Sequence, residues 1–361
     1  MKFKSYVIFF LLFGVLPDIF LCRYSLLVWI PTAFELVSLV MIGTNFRYTP
    51  AVRAFSYLTF LFEFPKFIAF LCSLFMGIKA SAAAGAMIGI FFAVLIFYVT
   101  CNLKVNALSL SFPDLPDAFR GLRVCQLSDL HLGSFGEGSR YITRIVSSVK
   151  ELHPDLILFT GDLVNFLSSE ADSYLQALAG LDAPMGIISI RGNHDYLLHG
   201  PFKAGARERD AARLIELERG LGWKVLLNDH CILEKDGAAI AIAGVENTSG
   251  NPYFEKTGGD LGKALEGIPE GTFTILLSHD PSHWKAEVLP CSKVPLTLSG
   301  HTHGLKYKLA GLHPSHWKLR ESGGLYREGS RTLHVSKGLG SAFAFRLGGF
   351  PRIDIITLTN T

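Results

Sequence analysis

Five short polar clusters carry residues able to do chemistry together: Asp129-Leu130-His131, Gly161-Asp162, Gly192-Asn193-His194-Asp195, Ser278-His279 and Gly300-His301-Thr302-His303. They offer carboxylate and amide oxygens and imidazole nitrogens, donors suited to divalent transition ions. Singly, each has an ordinary explanation, because Asp and Asn close turns and a lone His is more often a satisfied, part-buried residue. Jointly they differ. Asp129, His131, Asp162, Asn193, His279, His301 and His303, brought to one crevice, would bury costly unpaired polarity unless cations bound them.

Such donors need a frame. Each cluster directly follows an apolar run: LRVCQLS, PDLILFTGD, MGIISIRGN, TFTILLSHD and VPLTLSGHTHG. Between the first three lie amphipathic segments, SRYITRIVSSVKEL with Ile142, Ile145, Val146, Val149 and Leu152 on one face, and a helix near 169–179. This β-α-β-α-β series predicts a largely parallel sheet with helices outside, whose loops beyond the carboxyl ends of the strands share a crevice. Further on, AARLIELERGLG predicts a helix, Asp236-Gly237 a hairpin turn, and RTLHVSKGLGS and RIDIITL two more strands. Two sheets with helices on their faces accommodate them all.

The first third of the chain is built for another solvent. Four apolar stretches, Phe3 to Leu21, Ser25 to Gly43, Ala54 to Ile78 and Ser81 to Cys101, are each near the ~20 residues a helix needs to cross a ~30 Å hydrocarbon layer. The expected organisation is a transmembrane anchor region of about four helices over 1–103, a linker over 104–120, and a catalytic domain over 121–361. Pro17, Asp18, Glu63, Pro65 and Lys66 interrupt the first and third spans, and Glu63 and Lys66 are spaced to neutralise each other on one helix. With four spans, Lys2, Lys4, Arg47, Arg53 and Lys104 face Arg23 and Lys79 across the membrane, a bias that puts the catalytic domain in the cytoplasm. Outside the anchor only Cys125, Cys231 and Cys291 remain, which suggests no disulfide framework, and a net charge of +3 is too small to imply nucleic acid.

The order Asp-x-His, Gly-Asp, Gly-Asn-His-Asp, Ser-His, Gly-His-x-His makes the chain from about Leu122 onward resemble the calcineurin-like metallophosphoesterase superfamily. The apolar lead, together with GGLYREG, VSKGLG and a C-terminal ITL strand, resembles its bacterial YkuE-like branch, multi-pass in the inner membrane. The resemblance implies an α/β fold, a four-layer α/β/β/α sandwich, and two divalent metal ions, manganese first, with iron, zinc or nickel as alternatives. Asp129, His131 and His303 would bind one ion, Asn193, His279 and His301 the other, and Asp162 would bridge them. Two cations about 3.5–4 Å apart need such an anionic bridge, and a water between them is acidified into the hydroxide that attacks phosphorus in line. His194 would stabilise the equatorial oxygens or protonate the departing one, and Asp195 either orients that imidazole or closes the turn. Two positions depart from the pattern: Gly304-Leu305-Lys306 stands where relatives often read Gly-Gly-Gln, and Asn165 where many have Asp.

The expected function is hydrolysis of a phosphoester, phosphodiester or pyrophosphate bond in a phosphorylated small molecule or a lipid-linked substrate at the bilayer. Its most specific version is a UDP-2,3-diacylglucosamine diphosphatase of lipid A synthesis. A catalytically inactive, membrane-tethered metal-binding scaffold is a different class, and it conflicts with the presence of every motif histidine; a transporter conflicts with spans that show no repeat. The loop 306–320 mixes Tyr307, Leu309, Leu312, Trp317 and Leu319 with Lys306, Lys308, Lys318 and Arg320. That composition suits both a lipid headgroup region and packing on its own domain.

Overall fold

The computed structural model describes residues 3–360, apart from 138, 204, 251–256, 304–320, 342–345 and 347–348. Two compact units emerge, one ending at Cys101 and one beginning at Asn102. In the first, the helices Phe3–Leu21, Leu26–Gly43, Tyr48–Ser73 and Ile78–Val99 are long and apolar enough to cross a membrane. The third starts at Tyr48, earlier than its apolar run, because Thr49, Arg53 and Ser56 dilute the hydropathy of its opening turns. π-helical turns at Phe10–Val15 and Thr59–Glu63 lie just before Pro17 and Pro65. Proline lacks an N–H and crowds the carbonyl four residues back, and a wider turn relieves both problems. Phe34, Val37, Val40, Phe91, Val94 and Phe97 are exposed on this unit's surface while Asp18, Glu35 and Glu63 are buried inside. Lys66 pairs with Glu63 across the spacing noted in the sequence, and also with Asp18 at 2.7 Å.

The second unit holds twelve strands among the described residues: β1 (Lys104–Ser111), β2 (Arg123–Leu127), β3 (Leu156–Phe159), β4 (Ile187–Ser189), β5 (Lys224–Val225), β6 (Asp229–Lys235), β7 (Ala238–Gly244), β8 (Phe273–Leu277), β9 (Leu296–Ser299), β10 (Gly324–Glu328), β11 (Arg331–Val335) and β12 (Arg352–Thr359). They form two six-stranded sheets, ordered β1-β12-β2-β3-β4-β5 and β10-β11-β9-β8-β7-β6. Within 104–120 the first eight residues are β1, paired in parallel with β12 from Lys104 against Arg352 to Ser111 against Thr359. In the first sheet only β12 against β2 is antiparallel. In the second, the hairpins β6–β7 and β10–β11 are antiparallel and the other pairs parallel.

Period-two alternation along the strands sorts their side chains into layers. Val124, Leu156, Leu158, Ile188, Ile240, Ile242, Ile275, Leu277, Leu298 and Ile356 share one apolar cluster drawn from both sheets. Their neighbours Cys125, Ile157, Phe159 and Ile355 point the other way and pack with Ile142, Ile145, Val146 and Val149 of the helix Arg140–Glu151. Ala243, Leu276, Leu333 and Val335 pack outward with Trp284 and Val288. The result is the α/β/β/α sandwich. The helix expected near 169 is mostly a 3₁₀ run, Ser168–Tyr174, continued by a single α-turn at Leu175–Leu178. The hairpin turns at Asp236 and Gly237, both left-handed with φ of 50° and 75°, as a type I′ turn requires.

One buried carboxyl gives this unit a pH response. Glu218, on the helix Ala206–Gly220, accepts a 2.6 Å hydrogen bond from Ser189 Oγ at the end of β4. Burial, reinforced by the charge of Asp195, pushes its pKa up to about 8 from an ordinary 4.5. A raised carboxyl pKa means the folded state holds the proton more tightly than the unfolded state. The contribution is therefore whole below about pH 4.5 and is lost as pH rises through about 8. The melting temperature of the catalytic unit should fall across that window, and Glu218→Gln should flatten the fall; an unchanged slope in the variant would refute the assignment.

Candidate metal centre

β2, β3 and β4 run parallel, so the residues that follow them reach one rim: Asp129 and His131, then Asp162, then Asn193 and His194. β8 and β9 deliver His279, His301 and His303 from the other sheet. The rims are tied together. Gln126 Nε2 donates to the Ser299 carbonyl at 2.9 Å, His279 Nδ1 donates to the Thr160 carbonyl at 2.7 Å, and Asp129 Oδ1 accepts from the His301 N–H at 3.1 Å. Asp129, His131, Asp162, His301 and His303 all have left-handed backbone, with φ between 47° and 69°, an uncommon and costly conformation for non-glycine residues. Hydrogen bonds beyond the strand ends hold it, from the Asp129 N–H to the Gly161 carbonyl at 2.9 Å and from the His131 N–H to the Asp162 carbonyl at 3.1 Å. Gly300 is required by contact, since a Cβ there would strike the side chains of Ser128 and Asp129.

The donors form three overlapping groups, with ligand atoms in each lying within 4.8 Å of one another: Asp129, His131 and His303; His131, Asp162 and His194; Asp162, His279 and His301. Asn193 joins the third through Oδ1, 2.9 Å from His301 Nδ1. Asp162 links the groups. Its Oδ2 lies 3.5 Å from His131 Nε2 and 3.1 Å from His279 Nε2, while Oδ1 accepts the His194 N–H at 2.8 Å.

These residues fit divalent ions on their own chemistry. Both ring nitrogens of His131 and Nδ1 of His303 are buried with no hydrogen-bond partner among the described residues, a cost that bound cations would remove. Burial pushes His131 and His303 down to about 3, so both rings are neutral with lone pairs to give. Burial pulls His279 the same way, but the Asp162 carboxylate outweighs it and lifts the ring to about 10. A divalent cation would compete for the place of that proton. The His and Asp clusters are consistent with a binuclear centre.

Of the two readings of Asp195, closing the turn fits its hydrogen bonds, and three further arrangements carried no clear sequence signal. Asp195 does not orient the His194 ring. Its buried carboxylate accepts the N–H groups of Gly192, Asp162 and Leu163, each at 2.8 Å, and of Val164 at 3.3 Å, fixing the loop that carries Asp162. His194 is held instead by the carbonyl of Asn165, to which Nδ1 donates at 2.9 Å; the Asn165 amide meanwhile donates to Ser134 Oγ. Asp280, whose one sequence signal is adjacency to His279, brings a buried Oδ2 to 3.9 Å from His301 Nε2. His199, matched to no motif, places its ring 5.6 Å from that of His194. Gly304 and the loop 306–320 lie outside the described residues. Asp195→Ala should leave four backbone donors without their acceptor, lower stability by about 3 kcal/mol or more and release bound metal. Thermal unfolding and elemental analysis check this, and a variant with full metal content and unchanged melting would refute it.

A family model described as calcineurin-like phosphoesterase matches residues 122–305. The chain is 31% identical to the uncharacterized metallophosphoesterase YkuE of Bacillus subtilis, over 68% of this chain and 82% of that protein. It is 32% identical to the transmembrane protein with metallophosphoesterase domain of Danio rerio, over 55% of this chain and 44% of that one. It is 35% identical to the UDP-2,3-diacylglucosamine pyrophosphatase LpxG of Chlamydia muridarum, over 71% of this chain and 90% of that one.

Proposed function

The chain belongs to the calcineurin-like phosphoesterase family, and from that premise we propose that it is a membrane-bound hydrolase of a phosphodiester or pyrophosphate bond in a lipid-linked substrate. The observation that carries the reading is the position of Asp162 Oδ2 between His131 and His279, one carboxylate oxygen shared by two sets of imidazoles. Asp129, His131 and His303 hold one ion in this reading, and Asn193, His279 and His301 the other, with Asp162 common to both and manganese the first choice of metal. Such ions, when bound, supply Lewis acidity toward phosphoryl oxygens and a lowered pKa for water.

The chain's own residues do the rest. Asn165 fixes the proton of His194 at Nδ1, so a second proton on that ring sits at Nε2, the edge able to reach a departing oxygen. Transfer from Nε2 leaves a neutral ring and places the proton on the departing oxygen, that of an alcohol from a phosphodiester or of a phosphate monoester from a pyrophosphate. The lipid-linked part of the reading is supported by four apolar helices in the same chain and by likeness to LpxG over most of both proteins. UDP-2,3-diacylglucosamine is the specific candidate on that second ground. The distribution of Lys and Arg between the spans supports a cytoplasmic catalytic unit.

Purified full-length protein with Mn²⁺ should hydrolyse bis-p-nitrophenyl phosphate, and Asp162→Ala should abolish turnover and lower metal content; equal rates would sink the enzyme reading. In the same detergent, release of UMP from UDP-2,3-diacylglucosamine decides for or against that substrate. His194→Gln should keep its metal and lower kcat by about 10²–10⁴ for substrates with poor leaving groups. With p-nitrophenolate, which departs without a proton, the loss should be smaller. A loss independent of the leaving group would contradict the proton-donor role.

A further inference from the structure

The membrane unit carries more polar machinery than an anchor needs. Asp18 of the first span, Thr32 and Glu35 of the second, and Thr59 and Glu63 of the third are all buried. Lys66 pairs with Asp18 and Glu63 and donates to Thr32 Oγ1 at 2.6 Å. Thr32 in turn donates to Asp18 Oδ2 at 2.6 Å, and Thr59 donates to Glu35 Oε1 at 2.5 Å. Glu35 lies nine residues after Leu26 and eight before Gly43, about 12–14 Å from either end of its helix at about 1.5 Å per residue. We propose that Glu35, with Glu63 beside it, is the seat of an exchangeable proton in the middle of the membrane unit.

Charge is the first ground. Three carboxylates face one ammonium, and the fourth span, whose single charged residue is Lys79 at its start, brings no cation into its length. Fully ionised, the cluster would bury a two-charge excess in low dielectric, which one proton halves. An open acceptor is the second. Glu35 Oε2 is buried and has no hydrogen-bond partner among the described residues. It faces Gly14, where a Cβ would lie 3.2 Å from Glu35 Oε2 and 3.6 Å from Glu63 Oε2, so both carboxylates look onto the same side-chain-free patch. The helices are the third ground. Gly14 sits in one π-helical turn, and Thr59 and Glu63 in the other, the kind of local widening that recurs at functional sites.

A proton fits this space better than a metal cation. Two carboxylate oxygens reach the patch, Thr32 is committed to Lys66 and Asp18, and the ammonium next door repels any ion needing about six oxygens. On release, the carboxylic acid becomes a carboxylate and the proton passes to solvent water.

The test uses the full-length protein in lipid nanodiscs and reads the carboxylic-acid C=O stretch by infrared difference spectroscopy across a pH titration. Glu218 also carries a proton near neutrality, so the band is assigned by subtracting Glu35→Gln, which keeps an acceptor for Thr59. The expected result is a pH-titrating band present in the native protein and lost in Glu35→Gln. Glu63→Gln supplies the second reading, by displacing the midpoint of that band. No band lost in Glu35→Gln and no displacement in Glu63→Gln would overturn the proposal. So would a band that vanishes when sodium replaces choline at fixed pH, which would assign the site to a metal cation.

Discussion

The centre depends on Asp195 holding a backbone that does not want its own shape. Five donor residues sit at positive φ, and each such conformation has cheaper alternatives unless something over-determines it. A single carboxylate accepting four N–H groups does this for the Asp162 loop, and a buried anion so bonded cannot be lost cheaply. Burial, with the charge of Asp162 beside it, raises Asp195 to about 6 even against those donors. The same residue therefore feels the centre's charge and fixes its geometry. His131, His279 and Asp162 fall into register because the loops under them have no freedom left.

The layers around the centre follow from strand alternation. Leu156 and Leu158 face one way and Ile157 and Phe159 the other, so one four-residue strand serves two apolar clusters. That arrangement was legible, because an uninterrupted apolar run ending in a polar cluster has few other uses. The helix Arg140–Glu151 and the Asp236-Gly237 hairpin were legible for the same local reasons, a 3.6-residue stripe and a turn pair that tolerates positive φ.

What escaped the sequence depends on partners far away along the chain. β1 alternates polar and apolar residues out of phase on either side of Ala107-Leu108 and is mostly exposed, so its own pattern is weak; its definition comes from β12. The role of Asp195 was legible only in part: closing its own turn was one of two readings, but most of its hydrogen bonds go to backbone on another loop. His194 is oriented by a carbonyl, a group every residue has, so the identity of Asn165 carried no signal for it. In the membrane unit, the charges that broke the apolar runs proved to be a connected interior cluster, and the prolines beside them sit against widened turns.

The pairing of β1 with β12 sets an order of assembly. Lys104 follows closely on the last span, and Arg352 is its partner across nearly the whole catalytic unit. While a ribosome is still making the intervening chain, β2 lacks its β12 neighbour and β1 has none, leaving unpaired N–H and C=O groups on both strands. Long-range pairing of this kind is slow and exposed to misassociation. The unit's vulnerable moment is thus its birth, before β12 arrives to pair with both β1 and β2.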